Sequence, residues 1–257
     1  MKLHGKTALV TGASRGIGQA IALELAQQGI RRIILVARNQ QRLEQVAAQA
    51  AALGVEAIPL SLDLTQVKDV SIAIAQVWKH HGPIHLLVNC AGVAHQQPFI
   101  HSRFADVQSE IDTNLVGLYA VTRFVARRMV VYREGKIVNV SSLMGKVAAP
   151  SMATYCATKF AVVGFSRALR HELADYNIEV TALLPSLTDT DMVREFKWFR
   201  GVTPVSTETV ARTLVQGLEG NAAEISVGWQ AQLALWCDRV APWLLNRVMQ
   251  LASPSVY

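Results

Sequence analysis

The chain has 257 residues, of which 51% are hydrophobic and only 17% are charged. This length and composition fit one α/β domain with a large core and exclude a globally disordered protein. The formal net charge is +6, but the basic residues are scattered. No nucleic-acid partner is therefore predicted, and an anionic small molecule together with ordinary solvated surface accounts better for the charge.

The cysteines and the N-terminus bear on the compartment. Three widely spaced cysteines without a CxxC pair fit neither a disulfide framework nor a zinc site, and they favour a reducing compartment. The N-terminus leads directly into a strand-and-glycine pattern, with no separate apolar leader. No run of about eighteen uncharged apolar residues is available to span a bilayer. A cytoplasmic protein is expected.

Short apolar runs alternate with segments of helical periodicity along the chain. The runs typical of buried strands lie at 7–11, 32–37, 57–61, 86–89, 136–141, 179–184 and 224–228. Segments of helical length between them include 41–52, 69–80 and 157–175. Because the runs are continuously apolar rather than alternating, they predict a parallel sheet that is covered on both faces.

The fold class that follows is α/β: a single-domain, Rossmann-type, doubly wound parallel sheet of about seven strands with helices on both faces. No linker, repeat or low-complexity tract interrupts residues 1–257, so one domain is expected. Within it, 1–130 is predicted to be mainly the cofactor-binding half and 131–228 the catalytic and substrate half. Residues 229–257 are predicted to form an apolar helical extension.

The loop after the first strand carries a phosphate-binding pattern. It reads Thr-Gly-Ala-Ser-Arg-Gly-Ile-Gly and opens a helix at about Gly16. Its glycines allow a tight turn, close approach to a phosphate and close packing of helix on strand. The helix N-terminus adds free N–H groups and the positive end of its dipole. The predicted cofactor contacts in this loop are Gly12, Ser14, Arg15, Gly16, Ile17 and Gly18.

The end of the second strand bears on the choice between NAD and NADP. An acidic residue there would bind the ribose 2′-hydroxyl, whereas an arginine accommodates a 2′-phosphate. Val36 is followed by Ala-Arg-Asn, with no carboxylate, and Arg38 and Arg15 are the two cations placed to meet a phosphate. We therefore predict NADPH/NADP+ as the cofactor, in preference to NADH.

Tyr155 and Lys159 lie four residues apart, thirteen residues after Ser142. On a helix this spacing places both side chains on one face. A lysine ammonium beside a phenol is expected to lower the tyrosine pKa, so that Tyr155 can give or take a proton. Ser142 is expected to hydrogen-bond the substrate oxygen on which charge develops.

With these motifs in place, the chain resembles the short-chain dehydrogenase/reductase family over residues 6–190. The resemblance is carried by TGxxxGIG, YxxxK and Ser142, and also by Asp63-Leu64, the Asn-Cys-Ala-Gly run that begins at Asn89, and Asn114. The catalytic tetrad that it implies is Asn114, Ser142, Tyr155 and Lys159. The further cofactor contacts that it implies are Asp63, Leu64, Asn89, Ala91, Gly92, Tyr155, Lys159, Pro185, Thr188 and Thr190.

The resemblance also implies roles and assembly. In that family the lysine holds the nicotinamide ribose, and the asparagine orders a water that relays protons to the lysine. Segments 102–130 and 153–175 resemble the helices that join subunits, which implies a homodimer or homotetramer. No metal site is expected, since the histidines near residue 80 lack neighbouring carboxylates or cysteines.

Two positions depart from the family pattern. Cys90 stands where the family usually has a second asparagine, and a small thiol should be tolerated there. Ser186 stands where the family usually has glycine after the proline. Because serine lacks the freedom of glycine at positive φ, we expect the backbone near the nicotinamide to take a different path.

The C-terminal part is rich in tryptophan. From Trp229 to Leu251, apolar residues recur at helical spacing, with a break at Pro242. One interpretation is a helical pair that packs over the domain or the substrate pocket. The other is an apolar lid or a peripheral membrane contact that admits lipophilic substrates, because tryptophan and arginine suit an interface.

The predicted function is NADPH-dependent, reversible reduction of a ketone or aldehyde to an alcohol, with Tyr155 as general acid/base. A lipophilic substrate of the keto-lipid, steroid or retinoid type is one interpretation; a 3-oxoacyl thioester or a polar ketone is another. The pocket is expected to be closed by the loop after Pro185, including 192–199. A nucleotide-binding regulatory protein or a membrane-surface interaction protein is the alternative outside enzymes.

Overall fold

The computed structural model describes residues 1–194, 196–197 and 201–252. The strands are Thr7–Thr11 (β1), Arg32–Ala37 (β2), Glu56–Ser61 (β3), Leu86–Asn89 (β4), Gly135–Val140 (β5), Ile178–Pro185 (β6) and Glu224–Val227 (β7). The helices are Gly16–Gln27 (α1), Gln40–Ala52 (α2), Val67–His81 (α3), Phe104–Ile111 (α4), Leu118–Tyr132 (α5), Ala153–Leu173 (α6), Thr207–Gly217 (α7), Trp229–Val240 (α8) and Pro242–Ala252 (α9).

All seven strands form one parallel sheet in the order β3-β2-β1-β4-β5-β6-β7. The chain first moves outward from β1 to β3 and then returns to place β4 on the other side of β1. This reversal is the topological switch point of a doubly wound sheet, where a crevice opens beyond the carboxyl ends of the strands. The predicted fold class is confirmed.

The core has two layers, one on each face of the sheet. Helices α1, α2 and α7 pack on one face through residues such as Ile21, Leu43 and Leu214. Helices α3 and α5 cover the other through residues such as Ile74 and Val125. The central strands β1, β4 and β5 are buried along their whole length, which explains why their sequences are continuously apolar rather than alternating.

The predicted long segment 102–130 is not one helix. It divides into α4 and α5, which are joined by a π-helical turn, Asp112–Gly117. Such a widened turn often occurs at functional sites. Its effect here is to turn Asn114 into the protein interior, where this side chain is completely buried.

The C-terminal helices α8 and α9 are separated at Pro242, as predicted, and bury few of their side chains. Ala231 on α8 and Leu245 on α9 are buried, whereas three tryptophans, Trp229, Trp236 and Trp243, are exposed by 69%, 62% and 73%. Within the described part of the chain, no helix combines the length and the apolar character needed to cross a membrane. The last predicted residues of this extension, 253–257, lie outside the described residues.

Candidate active site

The predicted site residues gather at the carboxyl edge of the sheet, where loops leave β1, β4, β5 and β6. Two neighbouring spaces open there. We call the first, of about 370 Å³, the polar cleft; it is lined by residues that include Gly12, Arg15, Arg38, Asp63, Gly92 and Lys159. We call the second, of about 500 Å³, the apolar cavity; it is lined by residues that include Ser142, Met152, Leu187, Val193, Leu233 and Leu245.

The floor of the polar cleft is formed by backbone at close approach. A Cβ atom at Gly18 would lie 2.2 Å from the Gly12 carbonyl oxygen, and one at Gly12 would lie 2.8 Å from the Ala91 backbone. Gly12 also has a φ of +68°, which disfavours other residues. With this concave backbone at the N-terminus of α1, the residues present fit a dinucleotide pyrophosphate.

Arginines line the outer part of the polar cleft. Arg15, Arg38 and Arg42 all face it, and the Asn39 side chain caps α2 by accepting a hydrogen bond from Arg42 N–H at 2.9 Å. Asp191 lies 3.4 Å from Arg15 and 3.9 Å from Arg42. Arg15, Arg38 and Arg42 outnumber this one carboxylate, so the end of the cleft that they line carries a net positive charge that suits a phosphate.

Tyr155 and Lys159 occupy successive turns of α6, as their spacing predicts. Tyr155 lines both the polar cleft and the apolar cavity. The Lys159 Nζ atom donates a hydrogen bond to the Val140 carbonyl oxygen at 3.0 Å and lies 5.5 Å from the centre of the Tyr155 ring. Ser142 begins the turn after β5, and its Oγ atom accepts a hydrogen bond from Met144 N–H at 3.1 Å.

The pKa directions at this pair correct the expectation from sequence. Burial raises the pKa of Tyr155 above its ordinary value, and the hydrogen bond with Ser142 only partly opposes that rise. Burial likewise lowers the pKa of Lys159 to about 8. The prediction that Lys159 lowers the pKa of Tyr155 is therefore wrong for this geometry. Desolvation is the largest influence on both pKa values.

Asn114 and Lys159 meet beside Gly92. The Asn114 amide accepts from Val93 N–H at 2.8 Å and donates to the Val93 carbonyl at 2.9 Å and to Thr158 Oγ1 at 3.1 Å. A Cβ atom at Gly92 would lie 3.2 Å from Asn114 Oδ1 and 3.5 Å from Lys159 Nζ. Both polar groups thus border one small space that a side chain at residue 92 would fill.

Comparisons with known proteins agree with this geometry. The family model described as short chain dehydrogenase matches residues 6–199. The 3-oxoacyl-acyl-carrier-protein reductase FabG of Pseudomonas aeruginosa is 38% identical over 195 residues, which cover 76% of this chain and 78% of that protein. This chain belongs to the short-chain dehydrogenase family. It is an oxidoreductase that acts on CH–OH or ketone groups.

Solved structures of short-chain dehydrogenases extend the likeness to the C-terminal helices. One from Burkholderia cenocepacia, in complex with NADP, is 27% identical with a TM-score of 0.85, and covers 99% of this chain and 100% of its own. A variant of the actinorhodin polyketide ketoreductase with NADPH is 31% identical with a TM-score of 0.79, and covers 86% of this chain and 95% of its own. Both of these related structures hold a nicotinamide dinucleotide.

Most predicted cofactor contacts of this short-chain dehydrogenase line the polar cleft. In addition to the six residues that were named when the cleft was introduced, the predicted contacts that line it are Ser14, Gly16, Ile17, Gly18, Leu64, Ala91, Tyr155 and Thr190. Asp63 also accepts hydrogen bonds from Thr65 through its backbone N–H at 3.0 Å and its hydroxyl at 2.9 Å. These bonds hold the carboxylate at the rim of the cleft.

Three predicted contacts lie elsewhere. Asn89 is 1% exposed, and its amide donates into the protein interior, to Thr122 Oγ1 and Asn139 Oδ1, both at 2.8 Å. The amide nitrogen thus ties β4 to α5 and β5 and does not face the polar cleft, while the Oδ1 atom is buried with no hydrogen-bond partner among the described residues. Pro185 and Thr188 line the apolar cavity.

Ser186 directly follows β6. Its φ is not positive; among the described residues, the non-glycine residues with positive φ are Arg133, Ser151 and Asn177. Its N–H donates to the Val227 carbonyl at 3.3 Å, so the chain continues from β6 along β7. The glycine-like conformation occurs at Gly228, with φ +92°, where a Cβ atom would lie 2.8 Å from Ser186 Oγ.

Several residues of the site were not predicted. Thr11 Oγ1 accepts from the backbone N–H groups of Cys90 and Ala91 at 3.0 and 3.1 Å, which ties the β1 loop to the β4 loop. Ser141 donates to the Lys159 carbonyl at 2.8 Å and lines both spaces. Arg42 could have been predicted, since it is a cation in the first turn of the helix after β2. The roles of Thr11 and Ser141 depend on contacts between residues that are distant in sequence.

Proposed function

We propose that the protein catalyses reversible reduction of a ketone or aldehyde with NADPH, with Tyr155 as general acid/base. The observation that carries the proposal is the position of Tyr155, which lines both the polar cleft and the apolar cavity. A carbonyl group held in the cavity and a nicotinamide held in the cleft would meet beside this phenol. Holding two reactants together in this way removes a large part of the entropic barrier.

Each member of the proposed tetrad has a task that its surroundings support. The bound NADPH supplies the hydride. Tyr155 gives its proton to the forming alkoxide, and its raised pKa keeps the phenol protonated for that step. Ser142 stabilises the same oxygen by donating a hydrogen bond. Lys159 and Asn114 border the space beside Gly92, through which the tyrosine proton is replaced.

The preference for NADPH over NADH rests on charge. Arg38 follows β2 where a carboxylate would otherwise bind the ribose 2′-hydroxyl, and Arg15 and Arg42 face the same end of the polar cleft. The similar structures that were solved with NADP and NADPH agree with this preference. We expect Arg38→Asp to reduce kcat/KM for NADPH about a hundred-fold and to spare that for NADH. If Arg38→Asp left the ratio of kcat/KM for NADPH to kcat/KM for NADH unchanged, the proposed preference for NADPH would be contradicted.

The proposed substrate carries its carbonyl on a largely apolar body. Apart from Ser142, Tyr155 and a few polar groups, the cavity is lined by aliphatic and aromatic residues from four regions of the chain: Met152, Leu187, Phe196, Leu233, Leu245 and Met249. A volume of about 500 Å³ lies within the usual range for drug-sized ligands. Both a keto lipid and the acyl chain of a 3-oxoacyl thioester fit this description.

One substrate panel tests the reaction and the substrate class together. NADPH oxidation would be followed with ketones of increasing chain length, with 3-oxoacyl thioesters and with short polar ketones, all at equal concentration. We expect kcat/KM to rise with apolar length. Preference for thioesters over ketones of equal length would favour the activity named for the Pseudomonas aeruginosa relative. Preference for short polar ketones would contradict an apolar substrate.

We also propose that α8 and α9 form the movable cover of the apolar cavity and contact a membrane surface. Trp229, Leu233, Leu244 and Val248 line the cavity and are also exposed, so a lipophilic molecule could pass from the outer surface into it. Arg239 and Arg247 lie on the same two helices and favour anionic lipids. Co-sedimentation with anionic but not neutral vesicles is expected, and failure to bind either would contradict the contact.

The homo-oligomer inferred from the family is proposed to form through α5 and α6. Tyr119 on α5 packs against Phe165 on α6 with ring centres 5.5 Å apart; Tyr119 itself, Val116 in the turn before α5, and Phe160 on α6 are exposed by 52%, 38% and 43%. Single apolar side chains on a surface are common, but adjacent ones on two helices mark an interface. Light scattering should give a dimer or tetramer, and Phe160→Glu should shift it toward the monomer.

A further inference from the structure

Between β4 and α4 the chain runs through an irregular segment, 92–97, which forms one wall of the apolar cavity. Ala94 and Gln96 line the cavity. The alternate residues are held from behind: both backbone groups of Val93 bond the Asn114 amide, and Gln97 N–H donates to the Ser151 carbonyl at 2.9 Å. Because successive residues of an extended chain face opposite sides, these anchors determine where Ala94 and Gln96 stand.

The middle anchor of this wall is Glu110. Its Oε1 atom accepts from His95 N–H at 2.5 Å and lies 3.2 Å from His95 Nδ1. Glu110 is only 1% exposed, and its Oε2 atom is buried with no hydrogen-bond partner among the described residues. Burying a carboxylate with an unsatisfied oxygen is costly, so packing alone does not account for a glutamate here.

The carboxylate lies behind the proposed catalytic residues. On its own helix it faces Asp106, which lies 3.8 Å from His95 Nε2. The groups on α6 that feel its charge are Tyr155, Cys156 and Lys159. Burial dominates the pKa values of all three, and the charge of Glu110 adds to the rise at Tyr155 and opposes the fall at Lys159. Burial also raises the pKa of Glu110 itself, against the hydrogen bonds from His95.

We propose that Glu110 is a positioning residue of the active site: its buried carboxylate holds His95, and through it the wall that carries Ala94 and Gln96, in place beside Tyr155. It acts through His95 and the 92–97 wall, because its direct hydrogen bonds go to His95 and not to the cavity. The proposal rests on the carbonyl reduction proposed above, since the wall matters only where a substrate lies against it.

Three variants separate the hydrogen bond from the charge. Glu110→Gln keeps an oxygen that can accept from His95 N–H but removes the charge, and Glu110→Met removes both. Glu172→Gln is the control for the loss of one negative charge, because Glu172 is exposed on α6 and absent from the charges that act on Tyr155 and Lys159. Each variant would be assayed for KM, kcat and the pH profile of alcohol oxidation with the best substrate of the panel.

We expect E110M to raise KM about ten-fold, the size expected when one charge-assisted hydrogen bond is lost, and E110Q to restore KM. Removing the negative charge favours the deprotonated phenol, so in E110Q the pH at which oxidation rises should move to lower pH. E172Q should match the wild type in both KM and pH profile. If E110M does not fold, the pH profile of E110Q decides.

Two results would overturn the role of Glu110. One is a wild-type KM in E110M, and the other is an E110Q whose pH profile coincides with that of the wild type. Either result, obtained with a wild-type enzyme that turns over, leaves the proposed reaction intact. If the wild type turned over no carbonyl compound, the proposed function would fail first, so the two failures are distinguishable.

Discussion

The polar cleft and the apolar cavity share Tyr155 but are built in different ways. The cleft is formed largely by backbone at the ends of strands. A Cβ atom added at Gly12 or Gly18 would lie within 3 Å of other backbone atoms. The cavity is formed by side chains of an irregular wall, the loop after β6, and two helices with few buried residues. The shape of the polar cleft, the proposed cofactor end, is thus set by the fold. The shape of the apolar cavity, the proposed substrate end, depends on side chains that can be exchanged.

This contrast explains why short-chain dehydrogenases with one fold have different substrates. Shifting a backbone that also forms the sheet would disturb the whole core. Exchanging side chains on α8 or α9 would change the cavity at little cost to stability, because most of those side chains are exposed in this chain. Variants at Tyr155, in the polar cleft and in the apolar cavity test whether the two spaces differ in this way.

The largest effect is expected at Tyr155, the proposed proton donor, which lines both spaces. Tyr155→Phe should lower kcat/KM for carbonyl reduction by 10²- to 10⁴-fold, the usual contribution of a general acid. Because the phenyl ring keeps the packing, NADPH binding followed by fluorescence should be unchanged. Tyr176→Phe, at an exposed tyrosine in the turn after α6, is the matched control. Reduction that continued at the wild-type rate in Tyr155→Phe would remove the acid role and with it the link between the two spaces.

The second effect concerns stability on the cleft side. The pKa of Lys159 falls from 10.5 to about 8 on burial, so keeping it charged at pH 7 costs about 3 kcal/mol. Lys159→Met should remove this cost and abolish turnover. The loss of the hydrogen bond to the Val140 carbonyl should offset about 1 kcal/mol of the gain in stability. Urea unfolding at pH 7 should therefore show a more stable but inactive variant.

The pH dependence of that stabilisation has a definite sign. Between about pH 8 and 10.5 the unfolded wild type holds a proton on Lys159 that the folded protein has released. Wild-type stability therefore rises with pH across this window, and the advantage of Lys159→Met should shrink. Lys146→Met is a control at a lysine that pairs with Glu224. An advantage that stayed constant to pH 10.5 would show that burial does not depress the pKa of Lys159.

The two spaces also differ in how far they could be predicted. The glycine loop, Arg38, Asp63 and Tyr155 follow from local patterns, because each sits at a strand end or on one helix face. Local patterns also placed the break between α8 and α9 at Pro242. The interior direction of Asn89 was missed, since its partners Thr122 and Asn139 belong to other elements.

The direction of the Tyr155 pKa was missed for a related reason. Spacing shows that Lys159 is near but says nothing about how much water is excluded, and burial decides the sign. Glu110 was missed because a glutamate on a short helix reads as solvent-exposed surface, and its burial comes from the segment 92–97 folding over it.

The smallest effect is expected on the cavity side, where the chain should tolerate change. Ala234 lines the apolar cavity from α8, and Ala234→Trp would fill part of it without touching the polar cleft. We expect about a ten-fold lower kcat/KM for the longest apolar ketones, with short ketones and NADPH binding unaffected. Gln232→Trp is the control, because it places the same side chain on an exposed position of this helix outside the cavity lining. Equal losses for short and long substrates in Ala234→Trp would mean that the cavity does not select by length. The division between a fixed cofactor end and an adjustable substrate end would then have to be abandoned.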